Sequence, residues 1–447
     1  MDSSENKKVP FFSRKGLAAF FARESTAGLV MIFAMFLALI VENSDFFNIY
    51  HKFLNLSFSI GIGPYDLNNP FTVLGFEVTR IGGVLDRPFE WWVNDVFMVF
   101  FFLQVGLELK REMLDGFLSD VRQILLPCLA ALGGICCPAL IYWAINHNYP
   151  EYLHGWAIPT ATDIAFSLTV LGLVARSIPS AAKILLLAIA IFDDLGAIVI
   201  IALFYSQGVS MEALGWATIA CLFLWLFNKW NVTYFLPYLL AGLWLWFCFH
   251  KGGIHTTMAG VMVAMAYPMH VKQERGSPLN RMLKQIKPWV DFCILPMFAF
   301  VSSGLFLRNV SFETYLHPLT IGIVLALFLG KQTGIFAVTY AMLKLKFAKM
   351  PKTVTWLDLY GVACVAGIGF TMSLFVGKLA LPDPVMQQEI RLGIITGSVL
   401  SALWGAVVFH YVEKRKKQKA VVKMPASVAP ASAVPTLRAS GAVKAKA

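Results

Sequence analysis

The chain has 447 residues, 58% hydrophobic and only 14% charged. A soluble domain carries about 25% charged residues, so there are too few here to cover a globular surface, and most of the length must go into membrane spans. The formal net charge of +11 fits nucleic-acid binding, a membrane surface or membrane topology, and the positions of the basic residues decide among them.

Apolar runs measured against the roughly 20 residues that a spanning helix needs predict an all-α polytopic membrane protein with twelve transmembrane helices. The runs fall at 26–43, 93–109, 122–145, 155–175, 182–205, 211–228, 234–250, 254–270, 289–307, 318–343, 357–379 and 388–412. Residues 1–25 form a cytoplasmic segment with Lys7, Lys8, Arg14, Lys15 and Arg23, and 11–21 within it is a candidate interfacial helix. The first apolar run reaches Val41 with no small-residue cleavage pattern, so it reads as a retained helix and not as a signal peptide. In the first outer loop, over 69–87, apolar and polar residues alternate from Val73 to Ile81 ahead of the turn signal Gly82-Gly83. This predicts a small external β-hairpin, with an irregular loop as the alternative; its edge is a candidate contact with a second copy of the chain. Residues 26–412 then make one membrane domain, and 413–447, rich in Lys, Ala, Pro and Ser, read as a disordered basic cytoplasmic tail with affinity for anionic lipid.

With the N-terminus inside, 29 of the 37 Lys and Arg face the cytoplasm, seven face outwards and Lys331 lies within a span. That is the positive-inside pattern with both termini cytoplasmic; an odd number of spans would turn one terminal basic cluster outwards. The net charge is thus a topology signal and gives a nucleic-acid partner little support. The seven cysteines lie in apolar stretches without repeated CxxC or Cys/His spacing, which predicts small core hydrophobes and no disulfide or zinc framework.

Chemistry concentrates in four of the spans. Asp193 and Asp194 are adjacent within 185–205, a run otherwise apolar apart from Gly196. A carboxylate at mid-membrane costs about 2.5 to 3.5 kcal/mol on insertion scales, so the pair must face protein or water. There two carboxylates can bind a small hard cation or take up protons, which points to an ion transporter and not to an enzyme. In 155–166, Pro159 removes a backbone donor and Thr160, Thr162 and Asp163 follow it, so the helix is expected to break. A bland proline kink with Asp163 at a helix start is the alternative. A second break is expected at Gly367, Gly369 and Thr371, where Gly-x-Gly could instead serve tight helix packing. Each break falls in the middle helix of a three-helix unit, spans three to five and ten to twelve, which signals an inverted repeat with its site at the repeat interface. Interrupted helices then need a negative partner at an N-terminus and a positive one at a C-terminus; Asp163 and Lys331 can supply them. Lys331 is too central to reach water easily, and either a structural salt bridge or a competitive one, displaced by sodium or a proton, fits the sequence.

The strings over 155–166 and 190–198, Gly330-Lys331, 367–373, and Asn94-Asp95 followed by 105–112 look like those of the NhaA-type sodium/proton antiporters. The resemblance covers roughly 15 to 412, and these antiporters are themselves among the examples on which the inverted-repeat rule rests. It implies two crossed broken helices, a core beside a dimerising interface subdomain, and a homodimer in a bacterial inner membrane. It also implies electrogenic exchange of cytoplasmic Na+ or Li+ for more than one H+, without a cofactor or a tightly bound metal. Carried over by motif, Asp194 is the principal cation and proton carboxylate and Asp193 its partner, the two holding Na+ transiently. Lys331 pairs with Asp193 when sodium is absent and is a candidate proton carrier; Asp163 compensates the half-helix ends, and Thr162 is a candidate ligand.

For pH activation the resemblance points to Glu108, Arg111 and Glu112 at the cytoplasmic end of the second helix and to His255, although solvated helix ends and a structural histidine are the ordinary readings. Asp95 is carried over as an acid of the second helix or of a cytoplasmic funnel. One departure concerns 281–285, which has no acid where well-known members carry one, leaving Glu274 as the nearby acid. Among other classes, a retinal pump fits poorly with twelve spans, and an intramembrane aspartyl protease needs aspartates on different helices. A sodium-coupled solute symporter of related fold is the nearest rival.

Overall fold

A computed structural model describes residues 24–60, 85–116, 121–174, 178–271 except 207 and 209, and 276–422 except 349, 351 and 352. Helix α1 (Glu24–Glu42) is followed, after a turn of 118°, by the short α2 (Phe47–Leu54). Asn43 fixes that turn, its side-chain amide donating to Leu39 O and Leu305 O, both at 2.8 Å. Strand β1 (Ser57–Ile60) pairs antiparallel with β2 (Leu85–Pro88), Ser57 opposite Pro88 and Ile60 opposite Leu85. The alternation over 73–81 and its Gly82-Gly83 turn, on which the external hairpin was predicted, lie outside the described residues, as does nearly all of the N-terminal segment 1–25.

The long helices follow. They are α3 (Phe89–Leu114), α4 (Val121–Asn146), the 3-10 helix Pro150–Thr160 leading to α5 (Ile164–Val174), α6 (Ser180–Phe204) and α7 (Met211–Lys229). Then come α8 (Phe235–Gly252), α9 (Met258–Ala266), and α10 (Pro278–Trp289), which passes through the π turn Val290–Ile294 into α11 (Leu295–Ser302). Short α12 (Phe312–Leu316) precedes α13 (Pro318–Lys344), α14 (Trp356–Val365), α15 (Phe370–Ala380) and α16 (Pro384–Val422). Among the described residues six helices are long and apolar enough to cross a membrane, and nine spans result if each of three bent pairs is one span. The span predicted at 254–270 contains only the nine-residue α9, too short by itself for a hydrocarbon core of about 30 Å. At the C-terminal end α16 continues to Val422, so 413–422 are helical and not part of a disordered tail. These residues are mostly Lys, Gln, Ala and Val, which include good helix formers, and Lys416 reaches back to Asp358 at 2.9 Å.

Two packed clusters organise the interior. One joins α1, α4, α5, α6, α11 and α13 to α16 around fully buried Tyr142, Phe298 and Phe370. The other joins one face of α3 to α7, α8, α9 and α10 around Leu107, Tyr238 and Leu279. Helices α7 and α8 leave Phe223, Trp225, Leu240, Trp244 and Phe247 exposed, an outward apolar face that suits lipid and not water. Close packing of α4 on α13 depends on glycine: a Cβ on Gly334 would collide with the Gly133 carbonyl, and one on Gly330 would lie 2.7 Å from Pro138 Cα. The π turn Ala326–Gly330 immediately precedes Lys331, and such a turn re-aims the side chains that follow it.

Candidate ion site

Both predicted breaks are present, and they touch. The 3-10 helix Pro150–Thr160 and α5 meet at 51° across 161–163, while α14 and α15 meet at 44° across 366–369. Asp163 N donates to Ile368 O at 2.7 Å, Thr162 Oγ1 contacts Ala366 O at 2.9 Å, and Ser167 Oγ donates to Val365 O at 3.1 Å. Donors of the first interruption thereby reach three backbone carbonyls of the second, as irregular backbone away from water requires. The N-termini of α5 and α15 share one carboxylate. Asp163 accepts from Phe166 N at 2.9 Å with Oδ1, and from Thr371 N at 3.0 Å and Thr371 Oγ1 at 2.5 Å with Oδ2. An anion between two helix N-termini meets two positive dipole ends.

Beside this crossing, α6 carries Asp193 and Asp194 and α13 carries Lys331, all 0 to 1% exposed. Lys331 Nζ donates to Asp193 Oδ2 at 2.5 Å and to Thr162 Oγ1 at 2.9 Å, and Thr162 Oγ1 lies 2.5 Å from that same carboxylate oxygen. Gly134 of α4 lies against both partners: a Cβ there would be at ordinary contact distance from Asp193 Oδ1, 3.7 Å, but only 2.8 Å from Ile335 Cγ1 of α13. The two aspartates differ in their surroundings, because Lys331 and Thr162 occupy Asp193 while Asp194 has neither. Oδ1 of Asp193 and Oδ1 of Asp194 are buried without a hydrogen-bond partner among the described residues. A buried carboxylate oxygen left in that condition is costly unless a cation, a proton or water meets it.

Asp194 opens onto a cavity of about 360 Å³, which is also lined by Asp163 and Thr371 at its deep end and by Gln104, Glu108, Arg111, Lys284, Lys287 and Asp291. By the positive-inside reading these latter groups mark the cytoplasmic side. Lys287 Nζ donates to Glu108 Oε1 at 3.1 Å and lies 3.4 Å from Asp291 Oδ2; Gln104 Nε2 donates to Glu108 Oε1 at 3.3 Å. The mouth thus interleaves two acids with Arg111, Lys284 and Lys287, while the other end carries two carboxylates whose oxygens suit a small hard cation.

The structure brings together Thr162, Asp163, Asp193, Asp194, Lys331 and Thr371, with Pro159 buried in the turn before the first break and Gly367 and Gly369 in the second. Gly369 is close-packed: a Cβ there would collide with Ser373 Oγ and lie 2.9 Å from Ala161 O. Glu108 and Arg111 line the mouth, and Glu112 pairs with Arg111 at 2.8 Å. Asp95 lies elsewhere. It is on α3, the second predicted span, at the opposite end from Glu108, does not line this cavity, and accepts from Thr256 Oγ1 at 3.1 Å; the acids at the cavity mouth are Glu108 and Asp291. His255 is also outside the cavity, 2.7 Å from Thr257 Oγ1 and edge-on to Phe375. Gln104, Lys287 and Asp291 were missed by sequence reasoning. Their signal was a polar residue one turn before Glu108 and a Lys-Asp pair at i, i+4 entering the ninth predicted span.

Comparison with known proteins gives the family. The family model described as Na+/H+ antiporter 1 matches residues 18–409. A protein of Saccharophagus degradans named Na(+)/H(+) antiporter NhaA 2 is 42% identical over 397 residues, covering 88% of this chain and 99% of the relative. Na(+)/H(+) antiporter NhaA of Pelagibacter ubique is 41% identical over 89% of this chain and 97% of its own length. Na(+)/H(+) antiporter NhaA of Pseudomonas fluorescens is 43% identical over 88% of this chain and 96% of its own length. A match over most of the length, with the paired breaks and the aspartate-lysine cluster in place, identifies the chain as a member of the Na+/H+ antiporter 1 family.

Proposed function

We propose that this protein exchanges cytoplasmic Na+, or Li+, for protons across a bacterial inner membrane by alternating access, with both termini cytoplasmic. The observation that carries this reading is Asp194: a buried carboxylate with an unpartnered oxygen, open to a polar cavity and next to the Asp193–Lys331 ion pair. Sodium and protons compete for the same oxygens, so uptake of one drives off the other without a cofactor. Asp194 is the principal carrier. Asp193 trades Lys331 for the ion, and the freed lysine is a route for a further proton, which makes exchange electrogenic. Asp163 and Thr162 hold the break in shape while the loaded core moves between its inner and outer positions. Twelve spans arranged as inverted repeats fit the two interrupted helices and the even count that the charge asymmetry requires. Glu108, Arg111 and Glu112 at the mouth, with Lys287 and Asp291, provide the pH response. The protein works as a homodimer. The relatives' names and the paired breaks support exchange, and no observation favours solute symport.

The test is sodium-driven collapse of a preset pH gradient in vesicles. Wild type is expected to collapse it, Asp194→Asn to lose the response, and Lys331→Ala to keep exchange while losing its electrogenicity. Normal exchange by Asp194→Asn would refute the assigned site.

A further inference from the structure

The outer end of the molecule carries a group of charges that the ion site does not use. Glu90 stands in the first turn of α3 and Lys378 in the last turn of α15, each the sign that its helix end favours. Their side chains form an ion pair, 32% and 16% exposed. Around it lie Glu42, at the end of α1 and held by His51 Nε2 of α2 at 3.1 Å, and Arg391 of α16, which donates to Gly304 O at 2.5 Å just beyond α11. Arg391 and His51 are within electrostatic reach of Glu90, and Arg391 of Lys378. Glu42 Oε2 and Arg391 Nε are buried without a hydrogen-bond partner among the described residues, so the cluster keeps donors and acceptors in reserve. Acids and cations therefore interleave across the ends of α1, α2, α3, α15 and α16.

Between this cluster and the ion site stands an aromatic layer. Phe375 packs against Phe102 at 5.3 Å, His255 at 5.5 Å and Phe298 at 6.2 Å, and the three phenylalanines are 0 to 1% exposed. Helix α15 connects the layers, with Thr371 on Asp163 at one end, Phe375 in the middle and Lys378 on Glu90 at the other. The span from Thr371 to Lys378 is two turns, about 10 Å. A route from the ion site to the outer face along α15 must part the aromatic layer and then the ion pair, whereas the cavity on the other side already reaches Asp194.

We propose that Glu90 and Lys378 are positioning residues that hold the outer route shut in this conformation, and that their ion pair parts when the site opens outwards. This rests on the exchange reading above. A contact made in only one of two conformations biases their equilibrium by its own free energy, and apparent affinity on each side scales with the population able to bind there. Glu90→Gln and Lys378→Gln are therefore expected to raise the KM for sodium presented at the inner face and to lower it at the outer face, the ratio of the two values changing by about fivefold for a partly exposed ion pair. The exchanged pair E90K/K378E is expected to bring both values back towards wild type.

The measurement is sodium-dependent proton movement in inside-out and right-side-out vesicles, with folded protein quantified by gel filtration. Opposite shifts on the two faces support the proposal. A lower maximal rate with both KM values unchanged, as a mere strut would give, overturns it. Should Glu90→Gln fail to fold, Lys378→Gln, which leaves Glu90 near Arg391, carries the same comparison. Wild-type vesicles that show no sodium-driven proton movement would overturn the exchange reading instead.

Discussion

Removing the charge of Lys331 separates what the buried ion pair does for stability from what it does for transport. Lys331 Nζ and Asp193 Oδ2 are 2.5 Å apart with both side chains 0% exposed, and the nearest further support is the Thr162 hydroxyl. Lys331→Met leaves Asp193 buried with a single hydroxyl partner, and Asp193→Leu leaves the ammonium in the same condition. Each single change is expected to cost about 3 to 5 kcal/mol, the usual penalty for orphaning one member of a buried pair. D193L/K331M removes both charges and fills similar volume, so it is expected to lie within about 1 kcal/mol of wild type. The coupling between the two sites is then at least about 5 kcal/mol, far above the scatter of independent sites. Unfolding in detergent, followed by tryptophan fluorescence on all four proteins, measures it, and vesicle exchange is expected to stay low in the double variant because the charges that the cycle uses are gone. If the loss in the double variant equalled the sum of the two single losses, the pair would not be coupled and the reasoning would fail.

Asp163→Asn is expected to lower stability by about 3 kcal/mol, because an amide cannot accept from both Phe166 N and Thr371 N and leaves a buried N–H opposite its own NH2; an unchanged thermal midpoint would count against the shared cap. Gly334→Val must push α13 off α4, where its Cβ would come within 2.7 Å of Cys137 Cβ, at about 1 to 3 kcal/mol. The same change displaces Lys331, so exchange should lose electrogenicity as it does in Lys331→Ala, and fully electrogenic exchange would disconnect this packing from the site. Lys287, on α10 ahead of the ninth predicted span, is held above its ordinary value of 10.5: burial works against its charge, and Glu108 and Asp291 overcome that. A raised lysine stabilises fully below the unfolded value and loses that contribution only as pH climbs through the folded one, so Lys287 stays charged throughout about pH 6 to 9. Lys287→Gln leaves Glu108 and Asp291 without their shared cation, and the pH profile of exchange is expected to move by about half a unit or more; superimposable profiles would remove this cluster from pH control.

The candidate ion site was legible because membrane spans make charge conspicuous. Asp163, Asp193, Asp194 and Lys331 stand out against apolar runs, and Pro159 and Gly367-x-Gly369 announce interruptions. Which aspartate holds the lysine cannot be read from adjacency, since neighbours on a helix differ by about 100° in direction and only the packing of α13 and the Thr162 hydroxyl selects Asp193. The π turns at Val93–Phe97, Val290–Ile294 and Ala326–Gly330 had no sequence signal. Each adds one residue to a turn without proline or an uncommon composition. Pairings between distant ends, such as Glu90 with Lys378 or Glu108 with Lys287, were equally hidden, because charges at span ends read as ordinary solvated caps. Helix length was misjudged in two places. Gly253 in the left-handed conformation (φ 71°) and the turn that follows delay α9, while α16 runs past the hydrocarbon boundary on residues that favour helix in water.

One carboxylate serving two helix starts has a mechanical consequence. Neither α5 nor α15 can be displaced alone without stripping Asp163 of hydrogen bonds that nothing else in the crossing replaces. On the proposed exchange reading the two interrupted helices therefore move as a single stiff body, pinned at Asp163 and braced by the Thr162 and Ser167 contacts beside it, and flexing has to occur where that body meets its neighbours. Under the proposed role of Asp194, ion uptake there is then felt across the whole crossing at once, as a load on a rigid lever and not as a local softening of one loop.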